Sequence, residues 1–213
     1  HNSFSTKELG AIAAYSHLAD IDLMFRPPTT ERTWLYRYLE EGATGLMIPF
    51  VSTPEYAERL VQATKFPPLG NRGLDGSGFD SDFYTHDTAT YIAHQRQETF
   101  LIVQIETPEA VNNAGAIAAI QGVEGLFVGP ADLGLRVSDP SVSFSLEEAI
   151  VTVANAANTH GKAWGLPVRT IEQAQLVYDQ GARLIAYGGD KLSVFEALRE
   201  KGKQLETICN GKP

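Results

Sequence analysis

Six short runs of apolar residues recur along the chain, and a longer segment of mixed polarity follows each of them. Runs that are nearly continuous in apolar residues are typical of parallel strands covered on both faces. The pattern therefore predicts strands that alternate with helices. The strand candidates are residues 21–26, 45–50, 100–106, 125–129, 163–168 and 184–189.

The segments around these runs carry signals for the starts of helices. Thr53 and Thr107 are each followed by Pro and Glu, which places a capping hydroxyl, a helix-compatible proline and an acid in the first turn. Two later segments have the residue spacing of a capping box. The predicted helices are residues 5–16, 30–41, 53–64, 83–97, 108–120, 145–160, 170–180 and 190–207.

The repeat of strand and helix predicts an α/β fold. No linker rich in Pro, Gly and Ser divides it, so we expect one domain over residues 1–213. An open doubly wound sheet and a closed (β/α)8 barrel both fit the pattern. A barrel has eight strands and about 250 residues, so two strands would have to precede residue 1. No G-x-G-x-x-G follows a strand, which weakens a dinucleotide-binding hypothesis.

Composition narrows the class of partner. The net charge is −9 with no basic run, so nucleic acid is not an expected partner. No apolar stretch approaches the roughly 20 residues of a membrane span, and the first residues lack the apolar core of a signal peptide. The single cysteine, Cys209, cannot form an internal disulfide, which favours a cytoplasmic location.

Two carboxylates stand at the ends of consecutive predicted strands. Glu106 ends one strand, and Asp132 follows the next. Consecutive strands of such a unit usually lie side by side, and the carboxyl ends of barrel strands carry the chemistry. Two neighbouring carboxylates repel unless a cation joins them, so the spacing predicts a site for a hard ion such as Mg²⁺ or Mn²⁺. Alternatively, each acid only begins a helix and faces its dipole.

The loop 65–73 carries a second candidate, Arg72. Its prolines and glycines make a stiff segment that would fix the guanidinium, whose planar donors suit carboxylate or enolate oxygens. A surface arginine in a turn is the alternative. In residues 129–132, backbone N–H groups near a helix start are candidates for binding a substrate carboxylate.

The stretches "PPLGNRG", "VQIETPEAVNN", "GVEGLFVGPADLG" and "YGGD" together resemble the HpcH/HpaI family of class II pyruvate aldolases. The likeness runs from about residue 1 to residue 207. It implies a (β/α)8 barrel whose first two strands are absent from this sequence, and a homo-oligomer, commonly a hexamer. It also implies cleavage of a 4-hydroxy-2-oxoacid to pyruvate and an aldehyde, with Mg²⁺, Mn²⁺ or Co²⁺ as the cofactor.

The resemblance also assigns roles to residues around the ion. By this resemblance, Glu106 and Asp132 are the metal ligands. Gln104 is similar to the polar residue beside the complex of pyruvate and metal. Ala131 and Asp132 would offer backbone donors to the pyruvate carboxylate.

Two catalytic roles follow from the resemblance as well. Arg72 resembles the residue that binds the keto oxygen. His1 aligns with the histidine of the family's catalytic base, although the acid that precedes it in the family is absent here.

Three other functions remain open at this stage. A class I aldolase needs an interior lysine for a Schiff base, and only Lys191 falls near the carboxyl end of a predicted strand. A lyase of the citrate-lyase β type would act on acyl-CoA. A barrel that only binds pyruvate or another oxoacid would keep the metal site without turnover.

Overall fold

The computed structural model describes residues 4–210 of the chain. Six parallel strands form one sheet in the order β1-β2-β3-β4-β5-β6, and each overlaps a predicted strand. The bounds are β1 Met24–Phe25, β2 Gly45–Ile48, β3 Phe100–Ile105, β4 Gly125–Val128, β5 Ala163–Val168 and β6 Leu184–Tyr187.

The order of the strands decides between the two architectures left open by the sequence. A doubly wound sheet reverses its strand order at a switch point, whereas this sheet proceeds in chain order from β1 to β6. The fold is therefore an α/β, barrel-like arrangement, with β1 and β6 as the edges of the described sheet.

The helices lie where the sequence predicts them, with three differences. They are α1 Thr6–Leu18, α2 Arg32–Glu40, α3 Pro54–Thr64, α4 Thr88–Glu98, α5 Pro108–Asn112, α6 Ala114–Ala118, α7 Pro130–Val137, α8 Leu146–Thr159, α9 Ile171–Asp179 and α10 Asp190–Asn210. Helix α7 is absent from the predicted ranges, although a helix start was expected near residues 129–132, and the helix expected over 108–120 is broken into α5 and α6. The helix expected from residue 83 starts only at Thr88, because Phe83 and Tyr84 have left-handed backbone angles and Asp87 caps α4.

The predicted helix starts are mostly confirmed. Both Thr-Pro-Glu segments cap their helices, α3 and α5, through the threonine hydroxyl. Ser145 and Glu148 form the full capping box of α8. Thr170 caps α9 with its hydroxyl, but Gln173 accepts a hydrogen bond from the amide of Arg169 instead of completing the box.

The two faces of the sheet pack differently. Successive side chains of a strand point to opposite faces, so β3 contributes alternate residues to two apolar clusters. Leu101, Val103 and Ile105 belong to the main core between sheet and helices. Ile102 belongs to a small inner cluster with Met47 and Phe127.

The same alternation positions the polar residues of β3. Gln104 and Glu106 follow Ile102 at steps of two, so they continue the inner face beyond the small cluster. Apolar neighbours fill the helix-facing positions, and the inner face carries the polar groups at its carboxyl end.

Within residues 4–210, no helix combines the length and apolar character that crossing a membrane requires.

Candidate active site

Glu106 lies directly after β3 and is almost completely buried, with 2% of its surface exposed. Its Oε2 accepts a hydrogen bond of 3.0 Å from the backbone N–H of Phe50. Phe50 follows β2 and has a φ of 55°, a left-handed conformation that costs a non-glycine residue roughly 1 kcal/mol or more. The loop after β2 is thus strained at the residue whose amide meets the carboxylate.

Four groups besides burial act on the Glu106 carboxyl. Burial raises its pKa above the ordinary value, and the amide of Phe50 lowers it. The positive charges of Arg26 and Arg136 also lower this pKa, whereas the negative charge of Asp132 raises it. Asp132 and two arginines therefore lie close enough to act on the Glu106 carboxyl.

Asp132 lies in the first turn of α7, and its side chain is 43% exposed. Nη1 of Arg136 donates to Oδ1 of Asp132 at 3.0 Å and to its backbone oxygen at 2.8 Å. The same guanidinium lies 5.2 Å from the centre of the Phe50 ring. Arg136 consequently contacts both Asp132 and the residue that holds Glu106.

Gly129 leaves the space that the Glu106 carboxylate occupies. A β-carbon at this position would lie 2.4 Å from Oε1 of Glu106 and 2.6 Å from its Cγ. Such distances are far below van der Waals contact, so a larger residue would displace the carboxylate.

This contact gives a first prediction, that Gly129→Ala weakens Mn²⁺ binding by about 10- to 100-fold, the range found when the surroundings of a ligand are disturbed. Calorimetric titration with Mn²⁺ measures the effect. Gly115→Ala is the matched control, because an added β-carbon meets nothing within 4 Å there and alanine favours a helix. Equal Mn²⁺ affinities in the two variants would show that the close approach of Gly129 has no role.

Gln104 presents an unpaired group on the inner face. Its surface is 4% exposed, and its Oε1 is buried without a hydrogen-bond partner among the described residues. Buried polar atoms are normally paired, so this oxygen marks a place where a bound molecule or water supplies the donor.

The donor atoms of the two acids fit an open site for a hard cation. Oε1 of Glu106 and Oδ2 of Asp132 accept no hydrogen bond from the described residues. No group of three or more His, Cys, Asp or Glu side chains within residues 4–210 is arranged to hold a metal ion. Mg²⁺ is commonly held by one or two carboxylates, with water and substrate oxygens as its other ligands, so the residues fit such an ion.

Ala131 precedes Asp132 in the first turn of α7. The first N–H groups of a helix have no acceptor within it, so those of Ala131 and Asp132 are available to an anion beside the carboxylate pair. His1, the predicted base, lies outside the described residues.

The structure does not bring Arg72 to this cluster. Its Nη2 forms a buried ion pair of 2.7 Å with Asp80, and its Nη1 donates to the side chain of Gln95 at 3.0 Å. The guanidinium also lies over the ring of Phe66. All these partners are remote from the two acids in the fold, and they already occupy most of the arginine's donors.

The surroundings of Arg72 place it at the amino ends of the strands. Its backbone N–H donates to the carbonyl of Lys65, whose Nζ in turn donates to the carbonyl of Thr99. Thr99 immediately precedes β3, whereas Glu106 follows the other end of that strand, roughly 20 Å away at about 3.3 Å per residue. The role predicted for Arg72 beside the acids has no support in this placement.

Arg26 is a cation near Glu106 that sequence reasoning missed. It directly follows β1, its side chain is exposed, and no described residue pairs with it. Its charge acts on Glu106, so it shares the carboxyl-terminal rim of the sheet with both acids. The signal was present in the sequence, because residues 21–26 end on an arginine just as residues 100–106 end on a glutamate.

Comparisons with known proteins show similarity to one family over most of the chain. The sequence model of the HpcH/HpaI aldolase/citrate lyase family matches residues 7–197. The 5-keto-4-deoxy-D-glucarate aldolase of Shigella sonnei is 37% identical over 182 residues, which is 83% of this chain and 68% of that protein.

Two solved structures share both the fold and detectable sequence identity. An HpcH/HpaI aldolase from Desulfitobacterium hafniense has a TM-score of 0.87 and 27% identity, and the match covers 97% of this chain and 80% of that one. An HpcH/HpaI aldolase/citrate lyase family protein from Burkholderia cenocepacia has a TM-score of 0.84 and 28% identity, covering 95% and 81% of the two chains.

Proposed function

This chain belongs to the HpcH/HpaI aldolase/citrate lyase family, and we propose that it is a divalent-metal-dependent aldolase that cleaves a 4-hydroxy-2-oxoacid to pyruvate and an aldehyde. Membership in the family makes it a carbon–carbon lyase. The main observation that supports metal dependence and cleavage of an oxoacid is the convergence of Glu106, Asp132 and Arg26 at the carboxyl ends of the strands. The name of the Shigella sonnei relative supports a deoxy-keto sugar acid as the substrate.

Glu106 and Asp132 would hold the ion, which is Mg²⁺, Mn²⁺ or Co²⁺. When bound, the ion supplies a Lewis acid for the carboxylate and keto oxygens of the substrate. The free amide oxygen of Gln104 lies on the same inner face. There it is available to a hydroxyl or water that accompanies the substrate.

Cleavage moves negative charge onto the keto oxygen. A base removes the proton from the 4-hydroxyl, the electrons of that O–H bond form the aldehyde carbonyl, and the C3–C4 bond breaks to leave an enolate. We assign the stabilisation of the enolate oxygen to Arg26, because a preorganised cation at that point acts where charge develops. The base assigned by the resemblance is His1, and protonation of C3 completes pyruvate.

Binding of the substrate carboxylate is assigned to the first turn of α7. The N–H groups of Ala131 and Asp132 point out of the helix start, where the helix dipole favours an anion. Arg72 receives a different role from the one that the resemblance implies. We propose that its ion pair with Asp80 fixes the loop at the amino ends of the strands.

Metal removal tests the proposed function. A chelator is expected to abolish release of pyruvate from 5-keto-4-deoxy-D-glucarate, and Mn²⁺, Co²⁺ or Mg²⁺ should restore it, as measured by a coupled assay for pyruvate. Treatment with borohydride in the presence of pyruvate should leave the protein mass unchanged. Full activity without metal, or a trapped adduct on Lys191, would instead point to Schiff-base chemistry.

We also propose an eight-stranded barrel, a single domain over residues 1–213 and a cytoplasmic location. The order of the strands supports the barrel. Six parallel strands follow one another in chain order, with β1 and β6 at the edges of the described sheet, and such a sheet can form part of a closed barrel. The single cysteine supports the location.

Assembly into a homo-oligomer, with a hexamer as the leading candidate, is also proposed. Large apolar side chains of α10 are 54–69% exposed, which is unusual for a monomer surface; they are Leu192, Val194, Phe195, Leu198, Leu205 and Ile208. A second copy of the chain is the occupant that the resemblance implies for this face.

We expect light scattering at micromolar concentration to give an oligomer. Phe195→Asp should lower the measured mass, because it places a charge on the apolar face of α10. Glu196→Gln, at the neighbouring position, is the control and should leave the mass unchanged. A monomeric wild-type protein would contradict the proposal.

A further inference from the structure

The charges around the two acids set the charge of a suitable substrate. Glu106 and Asp132 carry two negative charges, and Arg26 and Arg136 carry two positive ones, so the protein groups cancel. A bound divalent ion would leave two positive charges in excess. The chain as a whole has a net charge of −9, so this excess is local, and it favours a doubly negative substrate over a singly negative one.

The two arginines belong to different elements around Glu106. Arg26 follows β1, and Arg136 lies on α7, which follows β4. In the sheet, β3 and its Glu106 lie between these strands. The guanidinium of Arg136 lies over the Phe50 ring, after β2, so a molecule that binds at Glu106 can meet cations from two separate elements.

Arg136 has donors that no described residue uses, and its side chain contacts Asp132. Its Nη1 serves Asp132, whereas its Nε and Nη2 have no acceptor among the described residues. The side chain is 37% exposed, and its position over the Phe50 ring holds the plane of the guanidinium. A planar fork of this kind is suited to a carboxylate.

We propose that Arg136 determines specificity by binding the distal carboxylate of the substrate, so that this chain prefers a 4-hydroxy-2-oxo dicarboxylate. The inference rests on the proposed aldolase function and adds the residue that recognises the distal carboxylate of the substrate. In this arrangement Arg26 serves the pyruvate half, and Arg136 serves the carboxylate that departs with the aldehyde. The glucarate named for the Shigella sonnei relative is itself a dicarboxylate.

The test compares two substrates that differ at one end. One is 5-keto-4-deoxy-D-glucarate, and the other is its counterpart with a hydroxymethyl group in place of the distal carboxylate. Wild-type protein with Mn²⁺ should show a higher kcat/KM for the dicarboxylate. Arg136→Gln should lower the ratio of the two kcat/KM values by about 10- to 100-fold, the range for a hydrogen bond to a charged group.

The ratio of the two kcat/KM values separates recognition of the distal carboxylate from any effect of Arg136 on the position of Asp132. Any effect of Arg136 on Asp132 alters both substrates alike and cancels in the ratio, and calorimetric Mn²⁺ affinity measures that effect directly. Arg136→Lys keeps the charge and should restore part of the preference. Arg26→Gln should lower both kcat/KM values and leave the ratio unchanged.

Arg59→Gln is the matched control. Arg59 also lies over an aromatic ring, at 5.3 Å from the centre of Tyr56, but on α3, away from the two acids, so its loss should leave the ratio unchanged. An unchanged ratio in Arg136→Gln, or a wild-type protein that cleaves both substrates equally well, would overturn this inference alone. A wild-type protein that cleaves neither substrate with Mn²⁺ would overturn the aldolase function as well.

Discussion

Glu106→Gln is expected to lower aldolase activity by about 1,000-fold, the upper range for removing one charged contact at a reacting centre, and to remove measurable Mn²⁺ binding. Glutamine has nearly the same shape, and its amide oxygen can still accept the hydrogen bond from Phe50. It lacks the negative charge of the carboxylate, and its neutral oxygen is a weaker ligand for a hard cation. Calorimetric titration with Mn²⁺, beside an assay for pyruvate release, measures both effects.

The metal-free variant should be at least as stable as the wild-type protein. Burial raises the pKa of Glu106, so the folded chain favours the protonated form more than the unfolded chain does. The ionised carboxylate therefore destabilises the fold as the pH rises above the ordinary pKa of a glutamic acid, and this cost is absent below it. A neutral amide removes the cost at pH 7, which thermal melts of the metal-free proteins would show.

Glu109→Gln provides the control for an acid that only begins a helix. Glu109 is exposed in the first turn of α5, where loss of its charge should cost about 0.3–1 kcal/mol of stability through the helix dipole. Its Mn²⁺ affinity should equal that of the wild-type protein. If Glu106→Gln behaved in the same way, Glu106 would be a helix-start acid and the metal site would be refuted.

Arg26→Gln is expected to lower turnover by about 100- to 1,000-fold, as the loss of one oxyanion-stabilising group does. Exchange of pyruvate protons with solvent should fall by a similar factor, because exchange passes through the same enolate. Mn²⁺ affinity should persist, since the variant removes a positive charge and no ligand. Proton exchange followed by NMR measures the step without the aldehyde.

Arg72→Lys separates the two arginines. Lysine keeps the charge but lacks the planar fork whose two nitrogens bind Asp80, Gln95 and Tyr91, so we expect a lower melting temperature with proton exchange nearly unchanged. The opposite result, a stable Arg72→Lys protein without exchange and an active Arg26→Gln, would return the catalytic role to Arg72.

The contrast between these arginines shows what the sequence could predict. The six strands were predictable because their apolar residues are continuous, and the proximity of Glu106 and Asp132 followed from the order of consecutive strands. Because all the strands are parallel, the direction of the chain determines the end of the sheet at which a loop lies. A residue after a strand lies at the carboxyl ends, as Arg26 does, and a residue after a helix returns to the amino ends, as Arg72 does.

Contacts between distant segments were not predictable in this way. The bond from the Phe50 amide to Glu106 joins residues 56 positions apart, and it depends on a backbone angle that no side-chain pattern encodes. Arg136 was missed because no helix was predicted through residue 136, and the spacing of Arg136 from Asp132 has meaning only on a helix.

The main-chain origin of the donor at Phe50 has a consequence for the evolution of this protein. Every residue except proline carries the N–H group that meets Glu106, so codon changes at position 50 rarely remove the contact. Substitutions at this position would instead change the backbone strain, which glycine lowers. They would also change the aromatic ring that lies beneath Arg136. The hydrogen bond to the buried carboxylate therefore tolerates most substitutions at position 50, whereas the contact of that residue with Arg136 can change.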